Sequence, residues 1–261
     1  MLMLSDAARA EVYDAYRAYD FFYPLIGSVL LGAQDGVVYA DDDQNPTQVY
    51  VEHSFGFAQI LGAKVRKFEE ELERYLLVDR RFAPAKVRLY ASYLPKFLMA
   101  EDYKNLRSWR QRFIIRSDSP TYEESKGRPL PEDVRISEVN SQNIDCIENA
   151  FQLVGRFWRT RADFVHGANA VVVSYKGDPA AICYAAAEAD RRLEIDILTL
   201  PQYRGMGLGR LAVTNFVDRC FEKSLVPLWD CFTNNAGSMA LCAAVGFTAA
   251  HSPYPFFTIA R

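Results

Sequence analysis

The sequence predicts a mixed α/β protein, and three observations support that fold class. Short runs rich in β-branched residues alternate along the chain with longer segments of helical periodicity. Clusters of Gly, Pro, Asp and Asn separate neighbouring strands. One strand in the second half runs into a glycine-rich turn that opens a helix. The chain of 261 residues is long enough for two small domains, each with its own core.

The first half begins with two predicted helices. Ser5 and Asp6 are candidate N-caps, so residues 5–19 are expected to be helical, and Phe21–Leu31 follows as a second helix. The other elements expected in this half are strands at Gly36–Ala40 and Thr47–Glu52 around a turn at Asp41–Pro46, a helix at Val65–Leu77, and strands at Val87–Ala91 and Phe113–Arg116.

Residues 117–133 separate the two halves of the chain. The segment contains three prolines, one glycine and many polar residues, a composition typical of a linker. We therefore expect an N-terminal domain at residues 1–116 and a C-terminal domain at residues 134–261.

The second half predicts the order α-β-β-β-α-β-α-β. Its expected elements are a mostly helical segment at Ser141–Arg161, strands at Val171–Tyr175, Ala180–Glu188 and Leu193–Leu200, a helix at Leu211–Phe221, a strand at Val226–Phe232, a helix at Ala236–Val245 and a last strand at Phe256–Ala260.

Charge and composition argue against several classes of partner. The net charge is -3, with 30 Lys and Arg against 33 Asp and Glu, so nucleic-acid binding has no electrostatic support. The most apolar run, Phe21–Ala33, is too short to span a bilayer, and the first residues lack the basic region of a signal peptide. No membrane association is expected. The sequence does not reveal an oligomeric state.

The cysteines indicate a reducing compartment. The five cysteines are odd in number, and no two have the CxxC spacing of a zinc site. We therefore expect no disulfide framework, no metal and a cytoplasmic location.

The segment Glu194–Arg210, EIDILTLPQYRGMGLGR, carries the most informative pattern. A strand leads into glycines at 205, 207 and 209, and a helix follows. Such a turn points successive N–H groups at one place, and the helix N-terminus adds partial positive charge. Glycine lets a phosphate approach the backbone closely. The pattern therefore predicts a diphosphate site.

Of three known phosphate-binding loop patterns, this turn fits one. A Walker A loop requires GK followed by Ser or Thr, which is absent. A dinucleotide-binding turn requires GxGxxG, but Arg210 stands where the third glycine should be. The segment Gln202–Gly207, QYRGMG, resembles the coenzyme A loop of the GNAT superfamily, Q/R-x-x-G-x-G/A. A plain glycine-rich connecting turn is the alternative.

A second stretch strengthens the resemblance. Pro227–Phe247 resembles the second signature of the GNAT superfamily, a strand followed by N-x-x-[AS]-x-x-L-x-x-x-x-GF. The P-x-W-D-C run and, more weakly, Phe157–Gly167 resemble a bacterial branch of GNAT proteins that includes the zwittermicin A resistance acetyltransferase. The resemblance covers about residues 135–261. It implies a mixed, mostly antiparallel sheet that splays open at a coenzyme A cleft.

The resemblance also implies a cosubstrate, acetyl-CoA, and residues that hold it. The backbone of Leu198 and Leu200 would pair with pantetheine, and a backbone N–H between Leu198 and Leu200 would stabilise the oxyanion. Asn235 and Ser238 would contact the far side of the cofactor arm. The full set of residues expected to bind the cofactor is Leu198, Thr199, Leu200, Gln202, Tyr203, Arg204, Gly205, Met206, Gly207, Leu208, Gly209, Arg210, Asn235 and Ser238.

Two acids are candidates for the catalytic base. Strand alternation places Glu194 and Asp196 on one face with Leu198 and Leu200. Glu194 matches the position of the base in some GNAT members, and Asp196 is the second candidate. The alternative is that one of these acids is only a polar residue on a solvated strand face. Many relatives carry a tyrosine as general acid where this chain has Cys242, which we read as a candidate acid or as a buried packing residue.

The predicted reaction is acetyl transfer from acetyl-CoA to a primary amine, with a small-molecule acceptor. A catalytically weak sensor or scaffold that binds coenzyme A is the alternative, and an enzyme acting on nucleotide phosphates is a weaker one. In the first half, Pro24–Val51 resembles the opening α-β-β of a degenerate GNAT unit that has no phosphate loop.

Overall fold

The computed structural model describes the backbone of residues 1–261 and every side chain except that of Asp102. Its strands, in chain order, are β1 (Leu2–Met3), β2 (Gly36–Ala40), β3 (Gln48–His53), β4 (Phe57–Gly62), β5 (Lys86–Ala91), β6 (Arg107–Ile114), β7 (Val134–Glu138), β8 (Val171–Tyr175), β9 (Asp178–Ala189), β10 (Arg192–Thr199), β11 (Val226–Phe232), β12 (Thr248–Ala249) and β13 (Tyr254–Ala260).

The α-helices are α1 (Asp6–Tyr16), α2 (Pro24–Leu30), α3 (Arg66–Glu73), α4 (Pro120–Lys126), α5 (Ile144–Phe151), α6 (Arg161–Gly167), α7 (Leu208–Glu222) and α8 (Ala236–Val245). A π-helical turn at Arg74–Val78 continues α3, and 3-10 turns occupy Lys96–Leu98, Glu101–Leu106 and Pro201–Tyr203. Among the described residues, no helix has the length and apolar character needed to cross a bilayer.

The first compact unit comprises Met1–Arg110 together with Tyr254–Arg261. Its strands follow the order β1-β2-β3-β4-β5-β13, and the start of β6 lies beside β13. All of these pairs with a recorded register are antiparallel except β4 and β5, which pair in parallel from Phe57 with Arg88 to Ile60 with Ala91. The core beneath this sheet is rich in aromatic residues.

The second compact unit comprises Gln111–Pro253. Its strands follow the order β6-β11-β10-β9-β8-β7, in which β10 and β11 are parallel and β7 to β10 pair antiparallel. Helix α7 packs against this sheet, and Val213, Phe216 and Val217 of α7 are fully buried in the core. The prediction of a mixed α/β fold with a mostly antiparallel sheet is confirmed.

The boundaries of the two units differ from the predicted domain boundaries, which had the first domain end at residue 116 and the second begin at residue 134. The segment 117–133 contains α4, and this helix belongs to the second unit. Tyr122 is buried and its hydroxyl donates a hydrogen bond to Asp218 of α7, while Ser125 bonds to Thr214 at 2.8 Å. The prolines and polar residues thus flank a docked helix, because its inward face carries aromatic and hydroxyl groups that find partners on α7.

Several further elements differ from the prediction: β6 begins at Arg107 rather than Phe113, and β1, β7 and β12 were not expected. Strand β4 was not expected, because its sequence FAQILG does not alternate regularly and lies between glycines at 56 and 62. The segment 141–161 is not one helix: α5 ends at Phe151, where Gln152 takes a left-handed φ of 53°. The resulting loop, residues 152–160, carries residues of the candidate site.

A buried histidine in the first unit makes stability depend on pH. His53 is fully buried; its Nδ1 accepts a hydrogen bond from the Phe55 N–H at 2.9 Å, and its Nε2 lies 3.1 Å from Oε1 of Gln34. Both contacts suit the neutral ring. Burial lowers the pKa of His53 from 6.5 to about 4, against an opposing effect of the Asp35 charge.

We expect the His53 contribution to stability to be complete above pH 6.5 and to be lost as the pH falls toward 4. The unfolded chain takes up the proton in this window and the folded chain does not, so the loss is on the order of 3 kcal/mol. Urea unfolding at several pH values measures it. A His53→Gln variant should have a flatter profile, whereas the exposed control His166→Gln should keep the wild-type slope. Parallel profiles for His53→Gln and wild type would contradict the assignment.

Candidate functional site

Two parallel strands of the second unit stop pairing before either of them ends. Strands β10 and β11 pair from Arg192 with Val226 to Glu194 with Leu228, and both continue beyond that pair. At the same level the register between β10 and β9 shifts, since Glu194 faces Ala187 while Ile195 faces Ala185. Such a bulge bends a strand locally. Glu194 therefore lies at the point where the two strands separate.

The glycine-rich turn lies at the end of β10 and leads into α7. Gly205 and Gly207 have left-handed φ values of 79° and 78°, and an added Cβ would meet no atom within 4 Å at either one. At Gly209 a Cβ would lie 2.8 Å from Oγ1 of Thr199, so this glycine allows the helix to approach β10. Gly205 and Gly207 thus allow the backbone conformation of the turn, and Gly209 allows α7 to pack closely against β10.

The glycine turn is exposed and leads directly into the N-terminus of α7. The bond from the Leu211 N–H to the Gly207 carbonyl, at 3.2 Å, closes the start of α7. The first N–H groups of an α-helix have no acceptor within the helix, and the residues from Arg204 to Gly207 are exposed. The first turn of α7 carries no acidic residue. This helix start can accept an anionic group, as the sequence predicts.

The main-chain direction of β10 requires a correction. The prediction has the backbone of Leu198 and Leu200 facing pantetheine, but the Leu200 N–H donates to the Ala180 carbonyl of the β9 side at 3.0 Å. Antiparallel pairing alternates such groups, so Leu198, opposite Ile182, also points toward β9. The backbone groups on the side of β11 are those of Ile197 and Thr199.

Glu194 and Asp196 lie on the face of the sheet away from α7. Leu193, Ile195 and Ile197 belong to the core on the α7 side, so the alternating residues face the other way, as predicted. Glu194 is buried, whereas the Asp196 side chain is 27% exposed. The two acids therefore share a face but differ in their access to solvent.

Two residues that the sequence analysis missed hold Asp196 in place. The Tyr184 hydroxyl donates to Oδ2 of Asp196 at 2.5 Å, and Nη1 of Arg156 lies 3.4 Å from the same oxygen. The Ile197 N–H donates to Oδ1 at 3.0 Å. Strand pairing places Tyr184 directly opposite Asp196, a relation that the periodicity of β9 could have indicated. Arg156 lies in the loop that was predicted to be helical.

A buried ion pair lies on the neighbouring strands. Nε of Arg112 lies 2.9 Å from Oδ2 of Asp230, and these side chains are 5% and 0% exposed. Asp230 is two residues beyond Leu228, the residue that faces Glu194 across β10 and β11. Removing one partner of such a pair leaves a buried charge.

Asn235 and Ser238 have structural partners in the second signature. The Asn235 side chain caps α8 by accepting the Ser238 N–H at 3.1 Å. The Ser238 hydroxyl accepts the indole N–H of Trp229 at 3.0 Å. These contacts explain the residue types at both positions, and the predicted contact with a cofactor arm remains a prediction.

Cys242 lies in the core of the second unit and is fully buried. Burial, and to a lesser extent nearby Cys231, raises the pKa of its thiol. The placement agrees with the packing alternative for this residue. Among the described residues, no group of three or more His, Cys, Asp or Glu is arranged to hold a metal ion.

Comparisons with known proteins place these features in a family. The family model described as GNAT acetyltransferase matches residues 20–257. The "Uncharacterized N-acetyltransferase YdfB" of Bacillus subtilis (strain 168) is 26% identical over 232 residues, which cover 87% of this chain and 85% of that protein.

Solved structures show the same fold. A GCN5-related N-acetyltransferase-like protein from Streptococcus suis 89/1591 has a TM-score of 0.71 at 19% identity, covering 98% of this chain and 99% of its own. A GCN5-related N-acetyltransferase from Kribbella flavida has a TM-score of 0.59 at 18% identity, covering 96% and 95%. The similarity spans both compact units in each case.

Proposed function

Because the chain belongs to the GNAT acetyltransferase family, we propose that it transfers an acetyl group from acetyl-CoA to a primary amine of a small molecule. The observation that carries the proposal is the separation of β10 and β11 directly after Glu194, with the glycine turn at the end of the same strand. A cleft between strands accommodates an extended thioester arm, and the turn accommodates its diphosphate.

The glycine turn and the start of α7 bind the diphosphate in this proposal. The N–H groups from Gly205 to Arg210 supply the donors, since those of Tyr203 and Arg204 donate to the carbonyls of Leu200 and Pro201. The helix dipole adds partial positive charge. The main chain of Ile197 and Thr199 replaces Leu198 and Leu200 as the edge that pairs with pantetheine. The Thr199 N–H, which points to the same side, is the donor for the oxyanion that forms when the thioester is attacked.

Glu194 is the base in this proposal. It is buried at the point where β10 and β11 stop pairing, and its carboxylate takes the proton that the amine loses as nitrogen attacks the acetyl carbon. Asp196 has both oxygens engaged by Tyr184, Arg156 and the Ile197 N–H. We therefore assign Asp196 a positioning role rather than that of the base.

The leaving thiolate takes its proton from water in this proposal. Cys242 is buried in the core with a raised pKa, so its thiol is a poor proton donor. The attack forms the C–N bond and breaks the C–S bond, and the products are an amide and coenzyme A.

Finer assignments follow from the sequence patterns. We propose that the chain lies in the bacterial branch that includes the zwittermicin A resistance acetyltransferase, since it carries the P-x-W-D-C run at Pro227–Cys231. We propose that the first unit is a degenerate GNAT-like domain. Like the second unit it has a parallel pair, β4 and β5, next to antiparallel strands, but these two strands stay paired as far as Ile60 and do not separate as β10 and β11 do. Four buried cysteines among five free thiols support a reducing, cytoplasmic location.

Two measurements test the proposed function. Calorimetry with acetyl-CoA measures binding, and release of free thiol in the presence of an amine panel measures transfer. We expect binding and amine-dependent thiol release. Binding without release would favour the sensor alternative, and competition by ATP but not by coenzyme A would favour a nucleotide site. Absence of coenzyme A binding would overturn the proposal.

A further inference from the structure

Three side chains form a fixed cluster beside the proposed base, which we call the Arg156 cluster: Arg156, Tyr184 and Asp196. Tyr184 and Asp196 face each other across β9 and β10, and Arg156 reaches the same carboxylate from the loop 152–160. The Arg156 Nη1 also lies 3.4 Å from the Tyr184 hydroxyl oxygen. Asp196 is two residues from Glu194 on the same strand face.

Tyr184 is a permanent donor in this cluster. Its side chain is fully buried, and burial, followed by the Asp196 charge, raises the pKa of the phenol well above its usual value. The hydroxyl therefore remains protonated and keeps its bond to Asp196. The carboxylate of Asp196 is held in one orientation before any substrate arrives.

The loop that carries Arg156 is anchored at both ends. Oε2 of Glu148 accepts the N–H groups of Leu153 and Val154, each at 2.9 Å. On the other side, the indole N–H of Trp158 donates to the Ala185 carbonyl at 3.0 Å, next to the bulge of the sheet. The backbone of the loop is thus held in place on both sides of Arg156.

The paired charges remain accessible to a solute. The side chains of Arg156 and Asp196 are 30% and 27% exposed, and a pair at this exposure adds little to stability. The guanidinium of Arg156 and the carboxylate of Asp196 approach to 3.4 Å. Together they are complementary in charge to a small molecule that carries a negative and a positive group at a similar distance. A simple amine would be attracted by Asp196 but repelled by Arg156, and a simple acid would experience the reverse.

We propose that the acceptor is an amino acid or a similar zwitterion, with a carboxylate close to the amine. The carboxylate binds the Arg156 guanidinium through charge-assisted hydrogen bonds, and the ammonium group lies against Asp196. This brings the nitrogen to the strand face of Glu194, which takes one proton to give the neutral amine. The second proton, released as nitrogen attacks, goes to solvent and balances the proton that the thiolate takes from water. The inference rests on the proposed function and names its substrate class.

Matched pairs of substrates test the inference. Thiol release from acetyl-CoA is measured with phenylalanine and phenethylamine, lysine and cadaverine, and histidine and histamine, each pair differing by one carboxylate. We expect the carboxylated member of at least one pair to have a kcat/KM about 10- to 100-fold higher. Preference for the decarboxylated members, equal rates within every pair, or acetyl-CoA binding without turnover of any member would overturn the inference. Loss of acetyl-CoA binding would instead overturn the proposed function.

Variants of the loop identify the residue responsible. Arg156→Ala should raise the KM of the carboxylated member and bring the ratio within the pair close to one, while Arg156→Lys should restore part of the preference. Arg159→Ala, an exposed arginine of the same loop, is the matched control and should keep the wild-type ratio. An equal decrease for both members of a pair in Arg156→Ala would indicate a purely structural role and overturn the assignment.

Discussion

Replacing Gly207 by aspartate is expected to reduce acetyl-CoA affinity by at least about 100-fold, or roughly 2.7 kcal/mol. The added carboxylate would project from the N-cap of α7, where the backbone N–H groups and helix dipole are proposed to meet the diphosphate. Repulsion between the two anions then adds to the loss of hydrogen bonds with a charged partner. Isothermal calorimetry with acetyl-CoA measures the change.

Gly177→Asp is the matched control for this substitution. Gly177 also has a left-handed φ, 92°, and an added Cβ there would meet nothing within 4 Å, but it lies in the turn between β8 and β9. Both variants carry the same backbone strain and the same new charge. A similar loss of affinity in both, or an unchanged affinity in Gly207→Asp, would contradict the assignment of the turn.

Replacing Glu194 by glutamine is expected to lower kcat by about 10²- to 10⁴-fold, the usual contribution of a general base. The amide keeps the size of the side chain but does not take up a proton at neutral pH. Glu194 lies on β10, outside the turn that is proposed to bind the diphosphate. Acetyl-CoA affinity should therefore change by less than about threefold. Initial rates of thiol release at saturating amine, with calorimetry on the same sample, separate the two quantities.

Glu188→Gln provides the control for the acid-to-amide change. Glu188 lies on β9, is exposed, and has no role in the proposed chemistry. It should retain the wild-type kcat. If Glu194→Gln keeps more than about one third of the wild-type kcat, the proton must leave by another route, and Asp196 or a water molecule would become the candidate.

The local patterns predict the glycine turn and the face of its strand, but not the direction of the strand's backbone groups. The turn after β10 was recognisable because phosphate contact restricts residue type, and the shared face of Glu194 and Asp196 follows from the alternation of a strand. The direction of the backbone groups was not recognisable, since it depends on which neighbour β10 pairs with. Only the bond from Leu200 to Ala180 reveals that Ile197 and Thr199 face the other side.

Long-range contacts account for the other failures. The helix at Pro120–Lys126 looked like a linker, because the residues that make it dock, Tyr122 and Ser125, acquire partners only on α7. The Arg156 cluster joins a loop to two strands through residues up to 40 positions apart. The residue pattern within a single segment does not predict contacts between side chains so far apart in the sequence. Strand β4 was missed for a similar reason, as its identity depends on β3 and β5 beside it.

The placement of β13 has a consequence for biosynthesis. Residues Tyr254–Ala260 pair with β5 in the first unit, although they leave the ribosome after all of the second. The sheet of the first unit therefore stays one strand short while the second unit is made, and it is completed only by a segment that follows that unit. During that interval the edge of β5 exposes unpaired backbone groups, the kind of edge on which nascent chains associate and chaperones act.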